Sequence, residues 1–167
     1  MPNWCEGNIR FRGKPENIKR FLMNEIVCCR MKDHETVEEK PIIEDKGYCL
    51  IITHPENGSW FYIKGTRRNF FDGDSLEIWI DENGNADKEI IVCVDNFKAA
   101  WSFQYHDRWL ETTKEYNIDV KLTGYDRGMH FSQIKTITRN GRVKDSVREY
   151  EDENDWMWNC PEPNNGG

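Results

Sequence analysis

Six cysteines and four histidines are the side chains of this chain best suited to nucleophilic or metal chemistry. A nucleophilic cysteine needs a histidine within hydrogen-bonding distance and a third group that orients the histidine. His34, His54, His106 and His130 stand at no spacing that pairs one of them with a particular cysteine. No Cys-x-x-Cys pair is present, so the sequence predicts neither a zinc ribbon nor a thioredoxin-type site. We therefore predict structural thiols and no catalytic residues.

A possible calcium loop lies in DENGNADKE at positions 81–89, where acidic and amide side chains alternate. An EF-hand loop requires Gly at its sixth position and Glu at its twelfth. This chain has Ala86 and Val92 at those positions. The Asn83-Gly84 pair favours a tight hairpin turn instead. We therefore predict a turn, with no metal and no cofactor.

A run of aromatic and basic residues forms the first candidate binding site. In WFYIKGTRRNF the residues of interest are Trp60, Tyr62, Lys64, Arg67 and Arg68. Rings that stack on bases, next to cations that contact phosphates, are what binding of single-stranded nucleic acid or nucleotides requires. Because side chains alternate along a strand, the first three would share one face. The alternative is a half-buried edge strand followed by a solvated basic turn.

The segment YDRGMHF contains the second candidate site, formed by Tyr125, Arg127 and His130. Such a cluster could hold a ligand, or it could be an ordinary turn between two strands. Five acids at positions 149–155 could mimic a run of phosphates and occupy a basic groove on a partner. A solvated acidic segment would have the same sequence, so both interpretations stay open.

The overall charge separates classes of partner. The 167 residues contain 23 Lys and Arg against 30 Asp and Glu, so the net charge is −7. This balance disfavours a general binder of phosphate backbones, which usually carries a basic face. A local basic patch is still compatible with it, as is attraction to a basic protein that handles nucleic acid.

The cysteines and the hydropathy predict the cellular location. No positively charged, apolar leader precedes Cys5, and no apolar run approaches the roughly 20 residues of a membrane span. We therefore expect no membrane, a cytoplasmic location and reduced thiols. Seven Trp, eight Phe and six Tyr are large enough to build a core in one folded domain.

Hydrophobic periodicity predicts two helices among many strands. NIRFR at 8–12 alternates as a strand, and residues 15–30 carry one apolar stripe typical of an amphipathic helix. Ser102 could cap a second helix that runs through WSFQYHDRWLETTKEY. Further strands are predicted at 48–53, 60–64, 76–80, 89–95 and 117–125, with a hairpin about Asn140-Gly141.

This order predicts an α+β fold with both helices on one face of an antiparallel sheet. It follows the split βαβ, ferredoxin-like plan, enlarged by extra hairpins. We expect one α+β domain over residues 1–154, with a charged excursion at 32–47. A loose C-terminal tail is expected at 155–167.

Two stretches carry a resemblance to known proteins. PNWCEGNIRFRGKPENIKRF places Pro-Asn-Trp-Cys before a strand that ends at Gly and before a helix. AAWSFQYHDRWLETTKEYNIDVKLTGYDRGMHFSQ places Ala-Trp-Ser before a helix, a strand and a Tyr-acid-x-Gly turn. Over roughly residues 2–24 and 97–143, the chain thus resembles the YubB-like family of small phage and plasmid proteins. Family members commonly have prolines where this chain has Phe103-Gln104, which could shift the start of the helix.

The resemblance implies a ferredoxin-like fold in the topological sense, with no cofactor and no catalytic residues to transfer. The cysteine spacings agree, because an iron–sulphur cluster needs four thiolates at set spacings. We expect Trp4 to fold over the sheet and fill one end of the core, with Cys5 as a small buried neighbour. A ligand-stacking Trp4 or a reactive Cys5 is the alternative.

Three functions stay open from the sequence. The first is a non-catalytic mobile-element protein that binds a host or phage protein, in its sharpest form an inhibitor of a defence system such as CRISPR. The second is a nucleic-acid or nucleotide binding module that uses the sheet face and exposes Trp60, Tyr62 and Arg67. The third is an enzyme, which would need a Cys–His or carboxylate pair within reach in a cleft.

Overall fold

The structure of the protein is a computed structural model, which describes residues 3–32, 35–55, 60–66, 68–80, 87–105 and 107–166. Within these ranges the chain forms three helices: α1 (Pro15–Glu25), α2 (Asp107–Glu115) and α3 (Glu153–Asn159). The same ranges contain twelve strands: β1 (Trp4–Gly13), β2 (Ile26–Lys32), β3 (Glu35–Glu39), β4 (Ile42–Asp45), β5 (Cys49–Thr53), β6 (Trp60–Ile63), β7 (Asn69–Phe71), β8 (Ser75–Trp79), β9 (Ile90–Ala100), β10 (Asp119–Asp126), β11 (Phe131–Ile137) and β12 (Val143–Glu149).

Most of the described strands belong to one large sheet. Nine of them lie in the order β12-β11-β10-β1-β9-β7-β6-β2-β3, and a smaller sheet has the order β4-β5-β8. Each strand pair in the described ranges is antiparallel. The α+β class and the antiparallel sheet expected from the sequence are therefore confirmed. Of the helices described, none has the length and apolar character that crossing a membrane requires.

The strand order is larger than a simple ferredoxin-like plan. β1 lies between β10 and β9, but β7 and β6 separate β9 from β2. Phe61 of β6 and Phe71 of β7 are cross-strand partners in this inserted pair, and both are fully buried. The simple ferredoxin-like order is thus not confirmed, since two strands that contribute large aromatic side chains to the core widen the sheet at this point.

Helix α1 begins as predicted and ends earlier. Pro15 occupies the first turn, where its missing N–H leaves no hydrogen bond unmade. Phe21 and Leu22 are buried on the stripe that faces the sheet. The predicted continuation to residue 30 is wrong, because Ile26 begins β2 directly after Glu25. The run Ile-Val-Cys-Cys favours a strand, since β-branched residues lose rotamer freedom in a helix.

Helix α2 begins at Asp107 rather than near Ser102. The buried Phe103 instead belongs to a loop held by two side chains of β11. Gln133 Oε1 accepts a hydrogen bond from the Phe103 N–H (3.1 Å), and Lys135 Nζ donates one to the Phe103 carbonyl oxygen (3.0 Å). These tertiary contacts provide the hydrogen bonds that the backbone N–H and carbonyl groups of Phe103 would otherwise have made within a helix.

The two long helices lie side by side in the same core cluster. Arg108 of α2 contacts the buried Glu25 of α1 at 2.8 Å, and Tyr116 meets Phe21 edge-on with ring centroids 5.6 Å apart. Leu50 of the small sheet belongs to the same cluster. The helices and the small sheet therefore cover the same side of the large sheet.

The segment predicted as a charged excursion at 32–47 contains two strands, so that prediction is wrong. β3 pairs with β2, and β4 pairs with β5. Both are edge strands of their sheets. Ile43 packs against the core, while Glu44 and Asp45 are exposed. Charged side chains are common on edge strands because they discourage pairing with other chains.

The segment predicted as a loose tail also has defined structure. The Asp152 side chain accepts hydrogen bonds from the Asn154 and Asp155 N–H groups and so caps α3. Trp156 is fully buried, and its indole N–H donates to the Pro163 carbonyl oxygen (2.8 Å). The acidic run therefore includes a helix cap, and the segment after residue 155 packs against the domain.

Candidate functional site

One side of the large sheet is uncovered across β9, β1, β10, β11 and β12, and we call it the open face. Phe11 and its cross-strand partner Val120 are buried under the helices, whereas Arg10, which precedes Phe11 in β1, is exposed. The strands therefore alternate between a core side and a solvent side, as a half-covered antiparallel sheet does. In the described chain, α3 and the segment that follows it lie against one end of the open face.

A row of basic residues crosses the open face. In the strand register, Arg10 of β1 lies between Cys93 of β9 and Lys121 of β10. Lys121 in turn lies opposite Thr136 of β11. Thr136 lies opposite Lys144 of β12. Partners in register project from the same face. Arg10 and Lys144 are three strand spacings apart, or about 14 Å. We call Arg10, Lys121 and Lys144 the basic row.

The basic row carries its charge unneutralised. None of the three cations forms an ion pair in the described structure. Arg10 and Lys121 are direct cross-strand partners, and like charges in that position destabilise a sheet. In a chain with 30 acids and 23 bases, this arrangement is the reverse of what stability alone would favour.

The floor of the open face is concave at the basic row. A groove of about 440 Å³ is lined by Arg10 and Lys121, with the exposed Ile91 and Cys93 on the β9 side. A second groove of about 420 Å³ adjoins it at Arg10 and extends to Tyr125, with Glu162 of the C-terminal segment as part of its wall. The grooves are open and follow the length of β1.

A paired ionic cluster lies next to Arg10 and Lys121, towards the end of β1. The buried Asp119 accepts hydrogen bonds from Arg12 (2.6 Å) and Arg139 (3.2 Å), and Arg139 also contacts Glu89. Burial acts to raise the pKa of the Asp119 carboxyl, but the hydrogen bonds from Arg139 and Arg12 outweigh it and hold that pKa below its ordinary value. The arginines at this end are therefore engaged, unlike the basic row.

The first site predicted from the sequence is only partly exposed. Tyr62 is 1% exposed, and it packs with Val27 and Cys29 while its hydroxyl donates to Glu38 (2.9 Å). Its ring is therefore not available for stacking. The expectation that Trp60 and Tyr62 would both be exposed is wrong, because Tyr62 packs into a small apolar cluster on its side of the sheet.

The remaining residues of that site are dispersed. Trp60 is half-buried and lies 6.1 Å from Phe70 between ring centroids. Lys64 donates to the Asn24 carbonyl oxygen (2.7 Å). Arg68 is exposed, and Arg67 lies outside the described residues. The Asn83-Gly84 turn, and the histidines at 34 and 106, also lie outside them.

The residues of the second predicted site do lie together, but they bind other side chains of the protein rather than leaving a site open for a ligand. Arg127 and His130 both contact Glu153 of α3, His130 at 3.2 Å, and Tyr125 packs against the cluster that contains Trp156. The hydrogen bond from Arg127 holds the pKa of Glu153 below its ordinary value. These side chains dock the C-terminal helix, and strands β1, β9 and β7 separate them from Trp60.

The opening tryptophan and cysteine point to opposite sides of β1. Cys5 is fully buried against Phe103 and Gly124, whose missing side chain leaves room for the ring. Trp4 is half-buried and meets Phe70 edge-on, with centroids 5.7 Å apart. The expectation for Cys5 is confirmed. The expectation that Trp4 fills the core is wrong, because successive residues of a strand face opposite ways.

The thiols and histidines of the described chain form no combined site. Cys93 is exposed, and the other five cysteines are buried. Burial and the charge of Asp126 raise the pKa of the Cys5 thiol to about 12. His54 stacks on Phe61 at 4.1 Å and has no hydrogen-bond partner at either ring nitrogen. The described residues contain no group of three or more His, Cys, Asp or Glu side chains arranged to hold a metal.

The basic row was not predicted from the sequence. Arg10 and Lys121 alternate with buried neighbours in their own strands, which marks them as solvent-facing, but that holds for many charged residues, and Lys144 lies in the largely exposed β12. Only the strand register brings residues 10, 121 and 144 together.

No known protein family, curated protein or solved structure matches this chain.

Proposed function

We propose that this chain is a non-catalytic binding protein that holds an anionic macromolecule against its open face. The observation that carries the proposal is the basic row, three cations on one uncovered surface of an acidic chain with no ion-pair partner in the described structure. Retaining two like charges opposite each other costs stability, and an anion bound between them offsets that cost. The adjoining grooves give such a partner a concave surface.

The fold that we propose is an enlarged ferredoxin-like plan in a member of the YubB-like family. The order β10-β1-β9, with α1 after β1 and α2 between β9 and β10, supports it. β1 pairs with both β9 and β10, so the two stretches that carry the resemblance lie in adjacent strands. The strands β7 and β6 are then an insertion between β9 and β2. A phage or plasmid protein of this kind would act in the cytoplasm of the host.

Fluorescence anisotropy with labelled polyanions tests the anion-binding face. The double variant Arg10→Gln/Lys121→Gln should bind heparin and a single-stranded oligonucleotide at least about tenfold more weakly than the wild type, or about 1.4 kcal/mol. With three cations engaged, log Kd against log salt for the oligonucleotide should have a slope of about 2. Each lost cation should reduce the slope by about 0.7.

The matched control removes two positive charges elsewhere. Lys40→Gln/Lys114→Gln has the same net charge as the test variant, and both lysines are exposed and lie off the open face. It should bind within about twofold of the wild type. Equal loss of affinity in both double variants, or no polyanion binding at low salt, would overturn the proposal.

A second candidate function is binding to a protein of a host defence system, for example a CRISPR effector. The surface that favours it is α3, where Trp158 is 87% exposed and Met157 is also exposed among acidic residues. Exposed tryptophan in an acidic setting is a suitable anchor for a basic partner surface. Plating efficiency on defended and undefended hosts tests it. Equal plating with and without the protein counts against this second function, as does a Trp158→Ala variant that protects the phage from the defence system as well as the wild type does.

A further inference from the structure

An exposed aromatic pair lies on the outer side of the small sheet. Tyr48 and Trp79 stack with ring centroids 5.5 Å apart and an interplanar angle of 29°. Tyr48 is 57% exposed and Trp79 is 61% exposed, so most of this stacked surface is in contact with solvent. Tyr48 immediately precedes β5 and Trp79 ends β8, so both rings are held by the small sheet. They present a rigid apolar platform.

The platform and the basic row border cavities that share one residue. A cavity of about 280 Å³ lies between β8 and β9, and both Trp79 and Cys93 line it. Cys93 also lines the groove that contains Arg10 and Lys121. The cavity beside Trp79 and the groove that contains the unpaired cations therefore meet at Cys93.

The charges along this path change sign. The cavity beside Trp79 contains the carboxylates of Glu77 and Asp95, whereas the groove beyond Cys93 contains Arg10 and Lys121. A phosphate would be repelled at the first place and attracted at the second. A nucleobase amino group suits the first place, because carboxylates accept hydrogen bonds from the amino group of cytosine.

We propose that the anionic partner is single-stranded nucleic acid, with one base stacked on the Tyr48–Trp79 pair and the adjoining backbone on Arg10 and Lys121. This inference rests on the anion-binding face proposed above and names its ligand. Proteins commonly hold single strands with an aromatic platform that stacks on a base and a cationic groove that contacts the backbone. A duplex keeps its bases paired and offers no ring to Trp79. An acidic protein segment supplies the charge but neither the ring nor the amino group.

The test measures affinity for four labelled probes: single-stranded dC and dT homopolymers of about twelve nucleotides, a duplex of the same length, and polyglutamate. The wild type should bind dC most tightly. Trp79→Ala should weaken dC binding by about tenfold, and Trp79→Phe, which keeps a ring, should restore it to within about threefold. Trp158→Ala removes a still more exposed tryptophan and should change nothing.

The base preference provides a second readout. Thymine has no exocyclic amino group, so dC should bind more tightly than dT, and Glu77→Gln should reduce this difference. Lys121→Gln should weaken both homopolymers equally. Polyglutamate or duplex binding that equals dC binding, with no effect of Trp79→Ala, would overturn the inference and leave the anion-binding face standing. If Lys121→Gln alters the binding of no probe, the proposed function fails as well.

Discussion

Arg10 and Lys121 face each other across the β1–β10 pair, on the solvent side of a sheet whose opposite side is buried. Neither cation has an ion-pair partner in the described structure. Two positive charges in direct cross-strand contact destabilise a sheet by up to about 1 kcal/mol. The folded protein therefore keeps two unpaired positive charges next to each other, and an anionic ligand would relieve their repulsion.

Removal of one of these charges should stabilise the fold while it weakens ligand binding. We expect Lys121→Thr to raise the free energy of unfolding by about 0.5 kcal/mol at low salt, because the repulsion is lost and Thr suits a strand. The gain should shrink at about 1 M salt, where charges on the surface are screened. Urea denaturation at the two salt concentrations measures it.

Lys144→Thr is the matched control for this variant. Lys144 lies on the same face, but its cross-strand neighbour is Thr136 rather than a cation. It should give a smaller gain than Lys121→Thr. Equal gains in the free energy of unfolding from both variants would show that the repulsion between Arg10 and Lys121 is not the source of the gain.

Asp119 should stabilise the protein at neutral pH and lose that effect in acid. Its pKa lies below the ordinary value in the folded state, so its contribution is present above the unfolded pKa of about 3.9 and disappears as the pH falls through the folded pKa. Asp119→Asn loses the charge that Arg12 and Arg139 contact, which we expect to cost about 2 kcal/mol near pH 7. Chemical denaturation should show that the difference between variant and wild type shrinks as the pH is lowered from 7 towards 2, and a deficit that does not change with pH would contradict the assignment.

Asp126 should behave in the opposite way. Burial raises the pKa of its carboxyl despite hydrogen bonds from the Met129 and Gly128 N–H groups, and its Oδ2 has no hydrogen-bond partner. The folded state therefore holds the proton more tightly, and this stabilising effect is complete below about pH 3.9 and is lost as the pH rises through the folded pKa. Asp126→Asn resembles the protonated form.

The variant Asp126→Asn should consequently be more stable than the wild type near pH 8 and equal to it near pH 3. Thermal unfolding at both pH values measures the difference. Asp145→Asn is a comparison at an exposed carboxyl that pairs with Lys135 (3.0 Å), and it should show no such gain at high pH because the variant loses that pairing. A deficit for Asp126→Asn near pH 8 would mean that the charged form is favoured in the fold.

Trp156 should hold the C-terminal segment to the domain. Its ring is fully buried against Tyr150, and its N–H is bonded to Pro163. Trp156→Ala should cost about 3–5 kcal/mol of local stability, which exceeds what a seven-residue helix can supply alone. Hydrogen exchange should accelerate in residues 150–166 and stay slow in β1 and β10. Trp158→Ala, at an exposed position of the same helix, should leave exchange unchanged.

Local patterns predicted the elements whose residues decide their own structure. The alternation about Ile9 and Phe11, the proline at the start of α1 and the Asn140-Gly141 hairpin all correspond to features of the structure, since backbone preference and side-chain periodicity act over a few residues. Gly141 has a φ of +73°, as such a turn requires, although the loop between Ile137 and Val143 is longer than two residues.

The same patterns were insufficient where a distant contact decided the outcome. Phe103 lies in a loop because Gln133 and Lys135 bind its backbone from another strand. The acidic run near residue 152 forms a helix because Trp156 has a pocket to fill. The density of charged residues alone predicted solvated segments at both 32–47 and the C-terminus. An edge strand or a docked helix has the same composition, because its solvent-facing side chains are also charged.

The sequence by itself determined the α+β class, the antiparallel pairing, the two long helices and the buried Cys5, because short-range periodicity and turn residues encode them. Only the tertiary structure decided which side chains share a surface. Residues 10, 121 and 144 become neighbours through three strand registers, and register depends on how the hydrophobic faces of all strands fit one core. The candidate site is therefore a property of strand pairing, which no single segment of the chain contains.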